Sequence, residues 1–187
     1  MQTEKFLRRE EFDRLVAVTK DNREKCLLFM LAGVGLRVAE MCSVKVEHID
    51  YARSYLHIPK SNAKGNKSRT VILLPEVVDA LRTYLAGRTT GWLFPSIAGD
   101  HLGPRQIQYI IDAISKKAGI SRRVHPHLLR HSFAVWAVEH GVSVYDLQQQ
   151  LGHSSILTTA IYLEAAPSHR RESFLRSGML TEGVQPS

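Results

Sequence analysis

The chain has 187 residues, 44% of them hydrophobic, and a formal net charge of +7 with a pI near 9.6. That size and apolar share suit one domain with a real core, or one domain and a tail, and the positive excess favours a polyanionic partner such as nucleic acid. Two cysteines in apolar helical surroundings, Cys26 and Cys42, exclude a disulfide framework, and the longest apolar run, residues 26–36, is too short to cross a bilayer. The start, MQTEKFLRREEF, lacks the apolar segment of a signal peptide, so the expected location is the cytoplasm.

Residues 8–20 carry Phe12, Leu15, Val16 and Thr19 at helical spacing, which predicts a first helix. Asp21-Asn22 caps a second, over residues 23–34, that is apolar on most sides and therefore central. Gly33 and Gly35 end it and permit positive φ or close backbone approach. Arg37 then opens a short helix, with Glu40 one turn away as an ion-pair partner. An arginine just after an apolar helix either forms a surface pair or serves an anion.

Between residues 44 and 74 the period shortens. Val46, Ile49, Tyr55, His57 and Ile58 predict short strands around the turn at residues 50–53, and residues 70–74 predict a β-branched strand. The polar turn at residues 61–68 joins them, and Lys64, Lys67 and Arg69 are assigned to its basic tip. Pro75 and Pro104 each open a further helix, the first burying Val77, Val78, Leu81, Tyr84 and Leu85, the second Ile107, Ile110, Ile111 and Ile114. Pro126 opens a helix through Val138 that holds His127, Arg130 and His131 on or near one face. Ser143 caps a short helix that Gly152 ends, and Ser154-Ser155 caps the next, which carries Tyr162. Pro167 begins a last helix with a narrow apolar stripe at Phe174 and Leu175, continued by Met179 and Leu180.

The chemistry-bearing residues Arg37, Lys64, His127, Arg130, His153 and Tyr162 form a cationic set that suits a phosphate. Arginine forks bind non-bridging oxygens and stabilise a five-coordinate phosphorus. A tyrosine oxygen is a nucleophile once a histidine takes its proton, and a lysine can protonate a leaving alkoxide. No metal or other cofactor is needed for that chemistry. His127 and His131 have metal-ligand spacing, but Arg130 lies between them and no glutamate follows the first histidine, so a zinc site is disfavoured. His131 and His140 are assigned to structural or surface positions.

Four stretches carry a resemblance: Gly35-Leu36-Arg37-Val38-Ala39-Glu40, Ala63-Lys64-Gly65-Asn66-Lys67, His127-Leu128-Leu129-Arg130-His131, and Leu151-Gly152-His153 followed by Tyr162. In this order and spacing they resemble the catalytic domain of tyrosine site-specific recombinases, the phage integrase and Xer family. The resemblance implies an α+β, mainly helical fold with a small antiparallel sheet of about three strands. It implies residues 1–166 as the catalytic domain and residues 167–187 as a helix and tail exchanged between protomers, without the family's N-terminal core-binding domain. The partners implied are double-stranded DNA and further copies of the chain, four on DNA, with a monomer in its absence. Tyr162 would attack the scissile phosphate to form a 3′-phosphotyrosyl link, held by Arg37 and Arg130. Lys64 would act as general acid, with Lys67 as its substitute; His127 would assist at Tyr162 and His153 would hydrogen-bond the phosphate. A DNA-relaxing enzyme of type IB and a non-catalytic DNA-binding derivative are the alternatives.

Overall fold

A computed structural model describes residues 6–60 and 68–165. In chain order these form α1 (Arg9–Ala17), α2 (Asn22–Gly33), α3 (Val38–Cys42), a 3₁₀ turn (Val46–His48), β1 (Ile49–Asp50), β2 (Tyr55–Ile58) and β3 (Arg69–Ile72). Then follow α4 (Pro75–Leu85), α5 (Pro104–Lys117), α6 (Pro126–Glu139), α7 (Val144–Leu151) and α8 (Leu157–Ala165). The fold is the expected one: a mainly helical domain with a small three-stranded antiparallel sheet of order β1-β2-β3. The expected last helix, from Pro167 onward, lies outside the described residues.

Helix α2 is the centre of the molecule. Asp21 caps it by accepting the Glu24 N–H at 2.8 Å, and Cys26, Leu27, Leu28, Met30 and Leu31 are fully buried. Each such leucine contributes on the order of 2 kcal/mol by leaving water. Burial raises both thiols, Cys26 strongly and Cys42 to about 11, so each stays a protonated apolar filler. Around α2 pack α4 and α6, whose apolar faces begin at Pro75 and Pro126 as their first-turn prolines direct. Ser132, with its hydroxyl fully buried on α6, accepts from the Leu7 N–H and donates to the Leu128 carbonyl, both at 2.8 Å. Trp136 Nε1 donates to the Leu7 carbonyl at 3.0 Å, so the N-terminal strap is pinned to α6 twice.

Val46, expected in a strand, lies instead in the 3₁₀ turn, which brings its side chain into the core. Strand pairing places Leu56 opposite Val71 and Ile58 opposite Arg69. Directly opposed residues share a face of the sheet. Arg69 therefore lies on the inner, apolar face with Leu56, Ile58 and Val71, and not at a solvated hairpin tip as expected. Gln150 of α7 clasps β3 by accepting the Ile72 N–H at 2.9 Å and donating to the Ile72 and Val34 carbonyls at 3.0 and 3.1 Å. No helix among the described residues is long and apolar enough to cross a membrane.

Candidate active site

The loop after α2 turns at Gly35, whose φ of +75° suits a residue without a side chain. A Cβ there would stand 2.5 Å from the Phe133 ring and 2.9 Å from Leu151, so α6 and α7 both press on the bare backbone. This close approach delivers the Gly35 carbonyl to Arg130, which donates to it at 2.6 Å. Arg130 is 4% exposed and donates also to the Leu151 carbonyl at 2.8 Å. Burial, helped by nearby Arg37, lowers its pKa to about 10, which still leaves it charged at neutral pH.

Arg37 stands at the start of α3. Its NH1 group donates to Glu40 Oε1 at 2.9 Å and its NH2 group to the Gly152 carbonyl at 3.0 Å, and its side chain remains 42% exposed. The expected pair with Glu40 is present, but the carboxylate is buried and shared. Arg69 grips it with both terminal nitrogens, at 2.7 and 2.9 Å, and Arg130 NH1 lies 3.9 Å away. Burial alone would raise the Glu40 pKa; hydrogen bonds and charge from Arg69 and Arg37 outweigh it and hold the group at about 2. Three guanidinium groups thus surround one carboxylate, leaving an excess of positive charge at the surface where Arg37 emerges.

His153 follows the left-handed cap Gly152, with φ +65°, that ends α7. Arg130 NH2 lies 3.0 Å from Nε2, and Nδ1 lies 2.9 Å from Thr159 Oγ1. A guanidinium only donates, so Nε2 accepts and the ring proton sits on Nδ1, directed at the fully buried Thr159. Burial, then the charges of Arg130 and Arg37, push His153 down to about 4, which keeps it neutral.

Tyr162, one turn beyond Thr159 on α8, packs inward. It is 4% exposed and joins a small core with Ala134, Val135, Val138, Leu147 and Leu151. Its ring stacks toward His153 with centroids 6.4 Å apart and meets the edge of His131 at 5.0 Å. Burial raises the phenol pKa, against a smaller opposing pull from Arg130. His131, assigned to a structural or surface position, is thus the α6 histidine in ring contact with Tyr162. His127 occupies the exposed first turn of α6, its ring parallel to that of His125 at 6.3 Å. Lys64 and Lys67 lie outside the described residues. Among those described, no three His, Cys, Asp or Glu side chains gather as a metal-binding group.

Arg37, Arg130, His153 and Tyr162, drawn from four separate segments, therefore converge, and the molecules that share this arrangement of sequence can be named. Residues 5–169 match the phage integrase family, and the chain belongs to it. The tyrosine recombinase XerA of Pyrococcus furiosus (strain ATCC 43587 / DSM 3638 / JCM 8422 / Vc1) is 34% identical over 183 residues, covering 94% of this chain and 63% of that protein. A crystal structure of XerA recombinase superposes with a TM-score of 0.78 at 34% identity, over 92% of this chain and 65% of that one. XerH site-specific recombinase bound to palindromic difH substrate in a post-cleavage complex shares the fold, with a TM-score of 0.72 at 22% identity, over 90% of this chain and 52% of that one. The chain spans less than two thirds of the length of each of these relatives.

Proposed function

We propose that this chain is the catalytic part of a site-specific recombinase that cuts and rejoins double-stranded DNA through a 3′-phosphotyrosyl intermediate. The observation that carries the reading is the meeting of Arg37, Arg130 and His153 at the Leu151–Gly152 backbone, with Tyr162 stacked toward His153. The Tyr162 oxygen forms a bond to phosphorus while the bond from phosphorus to the 5′ oxygen breaks. The phenol proton passes to a base, the role proposed for His127, and Lys64 gives a proton to the departing 5′ oxygen. One phosphodiester is exchanged for another, so a second 5′-hydroxyl can reverse the step without ATP.

The raised phenol pKa means that Tyr162 is protonated at neutral pH and needs that base. Tyr162 is 4% exposed and packs in the small core that α8 shares with α6 and α7, and DNA engagement is proposed to include a displacement of α8 from them. An arriving phosphate also reverses the field that keeps His153 neutral. An anion beside Nε2 favours a proton there, turning His153 from acceptor of Arg130 into donor to the phosphate.

Assembly on DNA is proposed as a tetramer, with the 167–187 segment passing to a neighbouring protomer. A groove of about 570 Å³ lined by Phe12, Phe29, Val77, Phe133, Trp136 and Leu147 offers an apolar seat for the Phe174–Leu175 stripe. Action is proposed in the cytoplasm, on the nucleoid.

The test uses nicked duplexes from a random-sequence library, in which cleavage releases a short strand and traps protein on DNA. The chain yields a covalent adduct with captured sequences, and Tyr162→Phe yields none. Absence of adduct from the unsubstituted chain at every sequence and protein concentration tested refutes the reading. Plasmid relaxation without exchange between two captured sites identifies the relaxing enzyme instead.

A further inference from the structure

We propose that Arg69 is a positioning residue of the phosphate site, holding Glu40 so that the Arg37 charge stays available to the anion. The inference rests on the phosphoryl-transfer reading above and assigns a task to a residue outside its six chemical groups. Arg69 is 11% exposed, and both its terminal nitrogens are committed to the two Glu40 oxygens. Its Nε donates to the Gln150 carbonyl at 3.3 Å, and its guanidinium lies flat against Gly152. A Cβ at Gly152 would come within 2.7 to 2.8 Å of three Arg69 atoms. Arg69 therefore joins the first residue of β3 to α3, through Glu40, and to the end of α7 from which Arg37 and Arg130 take carbonyls.

The division of labour follows from exposure. Glu40 is 3% exposed, and a buried carboxylate draws in every donor within reach. With Arg69 present, Arg37 gives it one side-chain hydrogen bond and keeps its guanidinium at the surface. Without Arg69, Oε1 keeps only the Arg37 NH1 group, and Oε2 keeps only the Arg37 backbone N–H at 2.8 Å, with Arg130 NH1 3.9 Å away. The Arg37 fork then closes on Glu40 as a bidentate pair, and its charge is spent internally instead of on a phosphate. Arg69 has no comparable opening to an anion, because Glu40, Gln150 and Gly152 cover it.

The experiment measures single-turnover adduct formation on a nicked duplex captured by the unsubstituted chain, with folding followed by thermal melting. Arg69→Met slows the rate roughly tenfold to a hundredfold, the order typical of losing a group that supports a site residue. Arg69→Lys, which keeps charge but not the fork, falls between. A merely structural staple would cost rate in any background. The proposal instead expects Arg69→Met to cost less than about twofold when Arg37 is already Ala or Glu40 is already Gln, because the pull to be balanced is then gone. If Arg69→Met alone does not fold, Glu40→Gln against Glu40→Gln/Arg69→Met makes the same comparison with fewer unbalanced charges. An Arg69→Met rate within about twofold of the unsubstituted chain overturns the proposal, as does an undiminished cost in the Arg37→Ala or Glu40→Gln background. Those outcomes leave the recombinase reading standing; loss of all adduct from the unsubstituted chain removes both.

Discussion

Replacing Glu40 by Gln removes one charge and almost no volume, and its cost can be worked from the contacts. Three guanidinium groups lose their counter-charge. Arg37 is 42% exposed, so water screens its loss and its share is small. Arg69 at 11% and Arg130 at 5% side-chain exposure are not screened in this way. Removing one partner of a buried pair and leaving the other charge costs about 3–5 kcal/mol. Domains of this size lose roughly 2–4 °C of melting temperature per kcal/mol, so the expected drop is roughly 6–20 °C. Urea titration gives the free energy directly, with an unchanged slope as evidence that the same fold is being unfolded. A loss below about 1 kcal/mol, the range of an exposed pair, refutes the claim that Glu40 anchors the cationic cluster.

The pH dependence has two parts with the same sign. Glu40 has its folded pKa depressed to about 2 from an ordinary 4.5, so its stabilisation is whole above 4.5 and fades as pH falls toward 2. His153 is depressed to about 4 from 6.5, so the unfolded chain takes up its proton first and stability falls between pH 6.5 and 4; His153→Gln flattens that part of a melting curve series. Gly35→Ala forces a methyl group against Phe133 and Leu151 at a positive φ, with an expected loss of about 2–4 kcal/mol in urea titration. Thr159→Val removes the acceptor for the His153 Nδ1 proton. It costs on the order of 1 kcal/mol, while ¹⁵N shifts of the imidazole keep the Nδ1–H tautomer, because Arg130 still donates to Nε2. A switch to the Nε2–H tautomer in that variant would show that Arg130 does not set it.

Much of this was legible residue by residue. The helix starts at Pro75, Pro104 and Pro126, the caps Asp21 and Ser143, the glycine turns at Gly35 and Gly152, and the Arg37–Glu40 pair are local matters of backbone preference and one-turn spacing. The strand expected over residues 70–74, and found over Arg69–Ile72, was harder. Val71, Ile72, Leu73 and Leu74 are all apolar, so alternation does not say which face turns inward, and Arg69 could not be assigned to the buried face. Pairing across β2 decides it by setting Arg69 opposite Ile58. One clue was present: a single carboxylate, Glu40, lay among the cationic site residues and stood to attract more than one of them.

Tyr162 marks the same division. Its residue type and its distance along the chain from His153 follow from sequence, and they are enough to nominate a nucleophile. That its ring lies in a small core against His131 and His153, raised in pKa and closed to solvent, depends on how α8 packs on α6 and α7. Sequence alone determined which groups are present and which helices carry them, because capping, periodicity and spacing are short-range. Only the tertiary structure decided which charges neutralise one another and which remain for an anion. Coulomb energy and desolvation depend on distance and burial between segments, and Arg69, Glu40 and Gln150 lie on three different ones.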